Sequence, residues 1–227
     1  MDIKDIAPYL DLANHKANST HAEIEQLCKD TVEFKFNSSF VNPCYVQYAK
    51  KINDGNSKVG TVISFPLGQD LLSLKIFAIK EALHNRADEL DVSLNVGLIK
   101  EHKWDLLLHN IGLMVKTVKD FDTQKIIKFI PENGYLTDDE IKKVAQLLVQ
   151  AGADFYKTCS GLGPRGATLD DVRLVREAVG DKIKIKVAGG ISTYDQAIQF
   201  IKAGADRIGT SAAIKIVEQQ NAHYLQK

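Results

Sequence analysis

Short apolar runs alternate with longer segments of helical period eight times along this chain, and few folds accommodate that rhythm. Strand-like runs fall at about Tyr9–Ala13, Ser38–Asn42, Val59–Phe65, Glu89–Val96, Lys125–Pro131, Asp154–Cys159, Ile183–Ala188 and Arg207–Thr210. The amphipathic stretches between them include Ala22–Phe34, Leu72–Arg86, Leu106–Phe121, Asp138–Gln150, Asp170–Val179 and Asp195–Ala203. Thr20 and Thr137 each precede a glutamate by three positions, the form of a capping box. Thr168 precedes two aspartates that suit a helix N-terminus. Gly152-Ala153 and Gly204-Ala205 read as helix stops ahead of a new strand. Eight strands in 227 residues leave about 28 residues per unit, the length of a strand and its crossover helix. No Pro/Gly/Ser-rich linker interrupts the series. The economical reading is an α/β fold, a single-domain (β/α)8 TIM barrel over residues 1–227. An open doubly wound sheet is the structural alternative.

Composition narrows the function classes. A chain of this length can bury roughly 70–75% of its unfolded surface without staples. With 29 basic and 29 acidic residues it carries no formal net charge, and no block of like charge stands out. That argues against nucleic acid or an anionic membrane as partner. No apolar run reaches the length of a membrane span, and the N-terminus has no signal-peptide pattern. Cys28, Cys44 and Cys159 are odd in number and lack metal-type spacing, which fits free thiols in a cytoplasmic protein. His15, His21, His84, His102, His109 and His223 show no ligand spacing either and read as surface or loop residues. No metal and no cofactor is expected.

Strand alternation then exposes an anomaly. Barrel interiors are ordinarily filled by branched apolar side chains. In the fourth strand Leu90, Val92, Leu94 and Val96 share one face, while Glu89, Asp91, Ser93 and Asn95 share the other. The fifth offers Lys128, the sixth Phe155, Lys157 and Cys159, and the seventh Lys184 and Lys186 opposite Ile183, Ile185 and Val187. One such lysine alone is most simply a solvated strand end. Three successive strands offering lysines beside an aspartate point instead to an active site, because charges inside a barrel are costly unless paired. Cys159 reads as a small buried hydrophobe beside it.

Glycine-rich loops follow the last three strands: Ser160-Gly161-Leu-Gly-Pro-Arg-Gly-Ala-Thr168, Gly189-Gly190-Ile-Ser-Thr193 and Gly209-Thr-Ser211-Ala212. Glycines let backbone approach an anion closely. Loops after strands seven and eight are the recurrent phosphate site of such barrels. A phosphorylated small molecule is the expected ligand.

Lys157-Thr-Cys-Ser-Gly-Leu-Gly-Pro-Arg-Gly-Ala-Thr168 resembles the Schiff-base loop of the deoxyribose-phosphate aldolase family. Ala87-Asp-Glu-Leu-Asp-Val92, Lys128-Phe-Ile-Pro-Glu-Asn-Gly134, Lys186-Val-Ala-Gly-Gly190 and Arg207-Ile-Gly-Thr-Ser211 match further stretches in the expected order, as do Asn42-Pro43 and Phe65-Pro-Leu-Gly68. The likeness runs from about Ile6 to Ala213. It implies a metal-independent class I aldolase that reversibly cleaves 2-deoxy-D-ribose 5-phosphate to acetaldehyde and D-glyceraldehyde 3-phosphate. Carried over, it makes Lys157 the imine-forming amine and Lys186 the neighbouring cation that favours its neutral form. Asp91 becomes the partner of a water in proton relay, and Asp11 and Lys128 become polar residues lining the pocket. Ser160, Gly161, Gly189, Gly190, Gly209 and Ser211 would hold the phosphate. The resemblance also implies a homo-oligomer, dimer or tetramer. An amine must be neutral to attack, so imine chemistry calls for a lysine whose pKa falls from about 10.4 towards roughly 7–8, a shift that burial and an adjacent ammonium can supply.

The chain departs from the family pattern in places. Ala13 stands where a threonine is common, which alters contacts to substrate hydroxyls. Phe40 replaces a cysteine and either narrows the pocket or repacks the second strand. Ser192 replaces an arginine on the phosphate side, with Arg165 the candidate to compensate. Ala212 replaces a serine seen in some members. These changes leave two other readings: a related class I aldolase acting on another phosphorylated sugar, and a non-catalytic phosphate-binding barrel. The tail Asn221–Lys227, with Tyr224, either frays or folds over the barrel mouth, fraying being the simpler reading.

Overall fold

The computed structural model describes residues 4–225. They form a closed barrel of β1 (Leu10–Asn14), β2 (Ser38–Val41), β3 (Lys58–Ile63), β4 (Glu89–Ser93), β5 (Ile126–Ile130), β6 (Phe155–Lys157), β7 (Lys184–Ala188) and β8 (Arg207–Thr210). Every neighbouring pair is parallel, and β8 returns to β1. Closure rules out the open sheet. Outside the barrel lie α1 (His21–Glu33), α2 (Val46–Asn53), α3 (Leu72–His84), α4 (Val96–Lys100), α5 (Trp104–Phe121), α6 (Asp138–Gln150), α7 (Leu169–Val179), α8 (Tyr194–Lys202) and α9 (Ala213–Leu225).

Period-two alternation makes two different interiors. Outward-facing Leu10, Leu12, Leu90, Val92, Ile127, Phe129, Tyr156, Ile185, Val187 and Ile208 belong to one continuous core between sheet and helices. They meet helical residues such as Ile24 and Leu27 of α1 and Ile141, Val144 and Leu148 of α6. Each such side chain contributes about 1.5–3 kcal/mol on burial. The apolar core is therefore a shell around the barrel, and the space inside is left for other residues. Capping boxes start α1 at Thr20, α6 at Thr137, α7 at Thr168 and α8 at Thr193, where Gln196 supplies the reciprocal bond.

The N-terminal end of the barrel is clamped by three aspartates, each placed just before an even-numbered strand. Asp88, Asp154 and Asp206 accept the backbone N–H of Val59, Ile127 and Ile185 on the preceding strand, at 2.9, 2.8 and 2.8 Å. Lys50 and Lys125 neutralise Asp88, Lys119 neutralises Asp154, and Arg176 neutralises Asp206.

Element ends differ from the expected ones for local reasons. β4 stops at Ser93, although its alternating pattern continues to Val96. Asn95 turns the chain, and Val96–Lys100 forms a short helix that buries Ile99. β6 stops at Lys157, where the glycine-rich loop departs. α9 carries the tail as helix to Leu225, while the side chain of Tyr224 and residues 226–227 lie outside the described residues. Among the described residues no helix is long and apolar enough to cross a membrane.

The turn after β3 brings Phe65 to the barrel mouth. Gly68 donates its N–H to the Ser64 carbonyl at 2.7 Å and adopts φ 69°, and a Cβ there would collide with the Leu94 carbonyl. Only glycine fits. Lys75 of α3 then ties the turn to β4, donating to the Gly68 carbonyl at 2.6 Å and the Ser93 carbonyl at 2.8 Å. Burial pushes its pKa down to about 8, with Asp70 offsetting only part. The unfolded chain holds this proton to about 10.4, so between the two values the unfolded state binds more protons and folding strengthens as pH rises. The unfolding free energy of the wild type relative to Lys75→Met is expected to climb by about 1–3 kcal/mol from pH 8 to pH 10 in urea titrations. A difference independent of pH would contradict a buried ammonium at this position.

Candidate active site

The inward faces bring charges to one level of the barrel. Asp91 lies in register with Lys128, Lys157 with Lys186, and Lys186 with Arg207. Asp91 Oδ2 accepts from Lys157 Nζ and from Lys186 Nζ, each at 2.9 Å, so one oxygen serves two lysines. Asp91 Oδ1 faces Lys128 Nζ at 3.1 Å. Lys186 also reaches Asp11 Oδ2 at 2.8 Å, and Lys128 reaches Glu89 Oε2 at 2.5 Å. Below them Arg207 donates to Asp11 Oδ1 at 2.9 Å, which also accepts from Ser38 at 2.6 Å and Asn37 at 2.9 Å.

Aromatic rings and missing side chains complete the packing. The Phe40 ring centroid lies 3.4 Å from Lys186 Nζ and 4.8 Å from Lys128 Nζ. A Cβ at Gly60 would collide with that ring, and one at Gly209 would come within 2.9 Å of Lys186 Cε. The Phe65 ring lies 5.7 Å from Lys157 Nζ. Such contacts favour a desolvated cation by about 2 kcal/mol each when close.

Burial and charge pull in opposite directions across the cluster. Burial by itself would raise the Asp91 carboxyl, but Lys128, Lys157 and Lys186 outweigh it and hold Asp91 well below the usual carboxylate range. Asp11 is likewise lowered: burial would raise it, and Lys186, Arg207 and Lys128 prevail. Burial would lower Lys128, yet Asp91, Glu89 and Asp11 raise it above an ordinary lysine. Lys186 falls the other way. Burial lowers it, and Asp11 and Asp91 recover only part against Lys128 and Lys157.

A cavity of about 660 Å³ opens above this level, in the size range of small-molecule sites. Lys157 and Lys186, 3% and 1% exposed, lie on its floor. Ser160, Gly161, Gly189, Gly190, Gly209 and Ser211 all line it, as does Phe40. Asp11 and Lys128, expected to line the pocket, are wholly buried beneath its floor with Asp91, Asp11 meeting Lys186 and Lys128 lying against Phe40. Arg165 does not stand in for the arginine absent at Ser192. Its guanidinium is held by Asp171 at 2.7 and 2.9 Å and by the Asn133 and Gly166 carbonyls. Cys159 donates to the Ala188 carbonyl at 2.7 Å, and burial pushes its thiol up to about 11. It is a packing residue.

Two contributors lie outside the expected site residues, although Glu132 shares the strand face of Lys128. Glu132 accepts the Ser160 N–H at 3.0 Å and so anchors the loop after β6. His15, expected as a surface or loop residue, lies in the loop after β1, where it continues the inward column of Asp11 and Ala13 and forms part of the cavity wall. Its ring packs 5.3 Å from that of Phe65 and 6.5 Å from that of Phe40. Among the described residues no three His, Cys, Asp or Glu side chains gather as a metal site.

A closed parallel barrel with paired lysines under a glycine-rimmed cavity at its C-terminal mouth defines an enzyme of the aldolase class. The chain belongs to the DeoC/LacD aldolase family, whose profile it matches over residues 6–219. A deoxyribose-phosphate aldolase of Caldicellulosiruptor saccharolyticus is 41% identical over 220 residues, covering 96% of this chain and all of the relative. One from Thermococcus kodakarensis is 42% identical, covering 96% and 98%. Among solved structures, an aldolase designated QR15 superposes with a TM-score of 0.91 at 37% identity over 99% of both chains. The deoxyribose phosphate aldolase of Aeropyrum pernix, described as tetrameric, gives 0.89 at 26% identity over 96% and 92%.

Removing the Asp91 carboxylate leaves three buried lysines facing one another. Asp91→Asn is expected to cost about 3–5 kcal/mol of stability near neutral pH. Because folding lowers this carboxyl below 3.8, its contribution is fully present above that value and is lost as pH falls towards the folded pKa. Urea unfolding at a series of pH values should show the wild-type advantage constant above pH 5 and narrowing below about pH 4.

Proposed function

We propose that this lyase cleaves 2-deoxy-D-ribose 5-phosphate reversibly to D-glyceraldehyde 3-phosphate and acetaldehyde through a Schiff base on Lys157. The observation that carries the reading is Lys157 Nζ at the cavity floor, sharing Asp91 Oδ2 with Lys186 at 2.9 Å each. The names of the relatives support the substrate. Charge balance supports the nucleophile. Lys128, Lys157, Lys186 and Arg207 face Asp11, Glu89 and Asp91 inside the barrel, while Lys58 reaches Glu89 from the solvent side. Lys128 and Lys186 each contact two carboxylates, whereas Lys157 contacts a single oxygen that it shares.

In this reading the Lys157 amine adds to the C1 aldehyde, and loss of water leaves a protonated imine. The C2–C3 bond then breaks with its electrons moving into the imine, while the C3 hydroxyl loses its proton and becomes the new aldehyde. Protonation of the enamine at C2 and hydrolysis release acetaldehyde and restore the amine. Asp91, with a bridging water, carries protons, and Lys186 is the exchange partner across the shared oxygen. Lys128 and Asp11 fix the carboxylates and Lys186 from below. The glycine loops after β6, β7 and β8, with Ser160 and Ser211, receive the phosphate. The departures at Ala13 and Ser192 bear on substrate choice rather than on the imine.

Lys157→Leu is expected to abolish turnover and borohydride trapping with acetaldehyde. Full covalent labelling of that variant would overturn the assignment. Unphosphorylated deoxyribose should be cleaved with a much lower kcat/KM than its 5-phosphate, and equal values would contradict the phosphate site.

We further infer a cytoplasmic homo-oligomer, dimer or tetramer. Three free cysteines support the compartment, and the tetrameric neighbour supports association. Leu71, Leu74 and Phe77 form an exposed apolar stripe along α3 that a second copy would cover. Light scattering should give at least twice the monomer mass, and Phe77→Glu should lower it.

A further inference from the structure

His15 is a polar side chain in the catalytic cavity that the reaction as derived above does not use. It follows β1, on the inward column above Asp11 and Ala13, and Ala13 offers no hydrogen-bonding group. Its ring stands against Phe65, the same ring that Lys157 Nζ approaches to 5.7 Å. Its Nδ1 is buried and has no hydrogen-bond partner, although the side chain of Asn42 lies close enough to share a hydrogen bond with the ring. Three other polar groups around the cavity already bond within the protein. Asn14 Oδ1 accepts from Ser19 and from the Lys16 N–H, Thr210 donates to the Ile191 carbonyl, and Ser160 Oγ accepts from the Leu162 N–H.

We propose that His15 is a substrate-binding residue that hydrogen-bonds the hydroxyls between the imine carbon and the phosphate, and so selects a hydroxylated acceptor aldehyde. The inference rests on the aldolase reading and deepens it. A substrate joined to Lys157 at C1 and held by the β7 and β8 loops at its phosphate presents its C3 and C4 hydroxyls to the wall between, and β1 is the next strand after β8. A neutral imidazole suits that task, carrying one donor and one acceptor. Burial, with repulsion from Lys157, lowers the pKa of this ring to about 3, so it stays neutral throughout the working range. An imidazole placed among Phe40, Phe65 and a lysine amine is poorly hydrated, and its bond to a hydroxyl replaces little water.

The test compares His15→Leu and His15→Asn with the wild type in two assays. One is kcat/KM for 2-deoxy-D-ribose 5-phosphate; the other is the rate of borohydride-trapped imine formation with acetaldehyde, which has no hydroxyl. Wild-type turnover and trapping establish the aldolase reading independently. His15→Leu is expected to lose about ten-fold in kcat/KM while trapping proceeds at the wild-type rate, and His15→Asn, which restores a polar group near Nδ1, should recover most of the loss. A kcat/KM within two-fold of wild type in His15→Leu would overturn the proposal. So would a parallel loss of acetaldehyde trapping, which would make the ring a packing element of the Lys157 site.

Discussion

One carboxylate holds the interior of this barrel together. Among the described residues Asp91 is the only acid that touches three lysines, from β5, β6 and β7, and it does so from the strand before them. Each of those ammonium groups lost its hydration on folding, at a cost of several kcal/mol per ion that only partners can offset. A single acid divided among three bases cannot satisfy them all equally. Lys128 takes Glu89 as well and is held as a cation, while Lys186 takes Asp11 and still falls below an ordinary lysine. The bases outnumber the acids here, so they compete for the same carboxylate oxygens.

Shape makes the arrangement possible. Lys186 can lie across the barrel because Gly209 on the next strand has no Cβ to meet its stem, and because Phe40 turns a π face to its ammonium. Phe40 in turn occupies space that exists only because Gly60 opposite it is bare. An aromatic side chain at this position therefore repacks the second strand and floors the cavity together. It also supplies the cations with a partner that does not titrate, so their placement is insensitive to pH where their charge is not.

Much of this was legible in the chain. The eight-fold rhythm of strand and helix led to a closed barrel, and alternation within β4 to β7 located Asp91, Lys128, Lys157 and Lys186 on inward faces. Depth was not legible. Alternation assigns a face and says nothing of height along the barrel axis, so it does not tell that Asp11 and Lys128 lie beneath the cavity floor. His15 carries no strand signal because it lies beyond the end of β1, although Asp11, Ala13 and His15 keep the same period. Arg165 misled for another reason. A basic residue in a glycine loop looks available until its acid is found, and here Asp171 also accepts the Thr168 N–H in the capping box of α7.

The two ends of the barrel divide the work of stability and chemistry. At the N-terminal end, Asp88, Asp154 and Asp206 each fasten a neighbouring strand through its backbone and meet a basic side chain at the surface, where solvation keeps the ion pairs cheap. Around the outside, the apolar shell between strands and helices supplies the burial that folding requires. Neither contribution depends on what fills the barrel. That independence explains how a chain with an even balance of charge can place four bases and three acids in its interior and remain folded. A core packed inside the barrel would leave no room for them, and a fold whose only core lay inside could not have spared it.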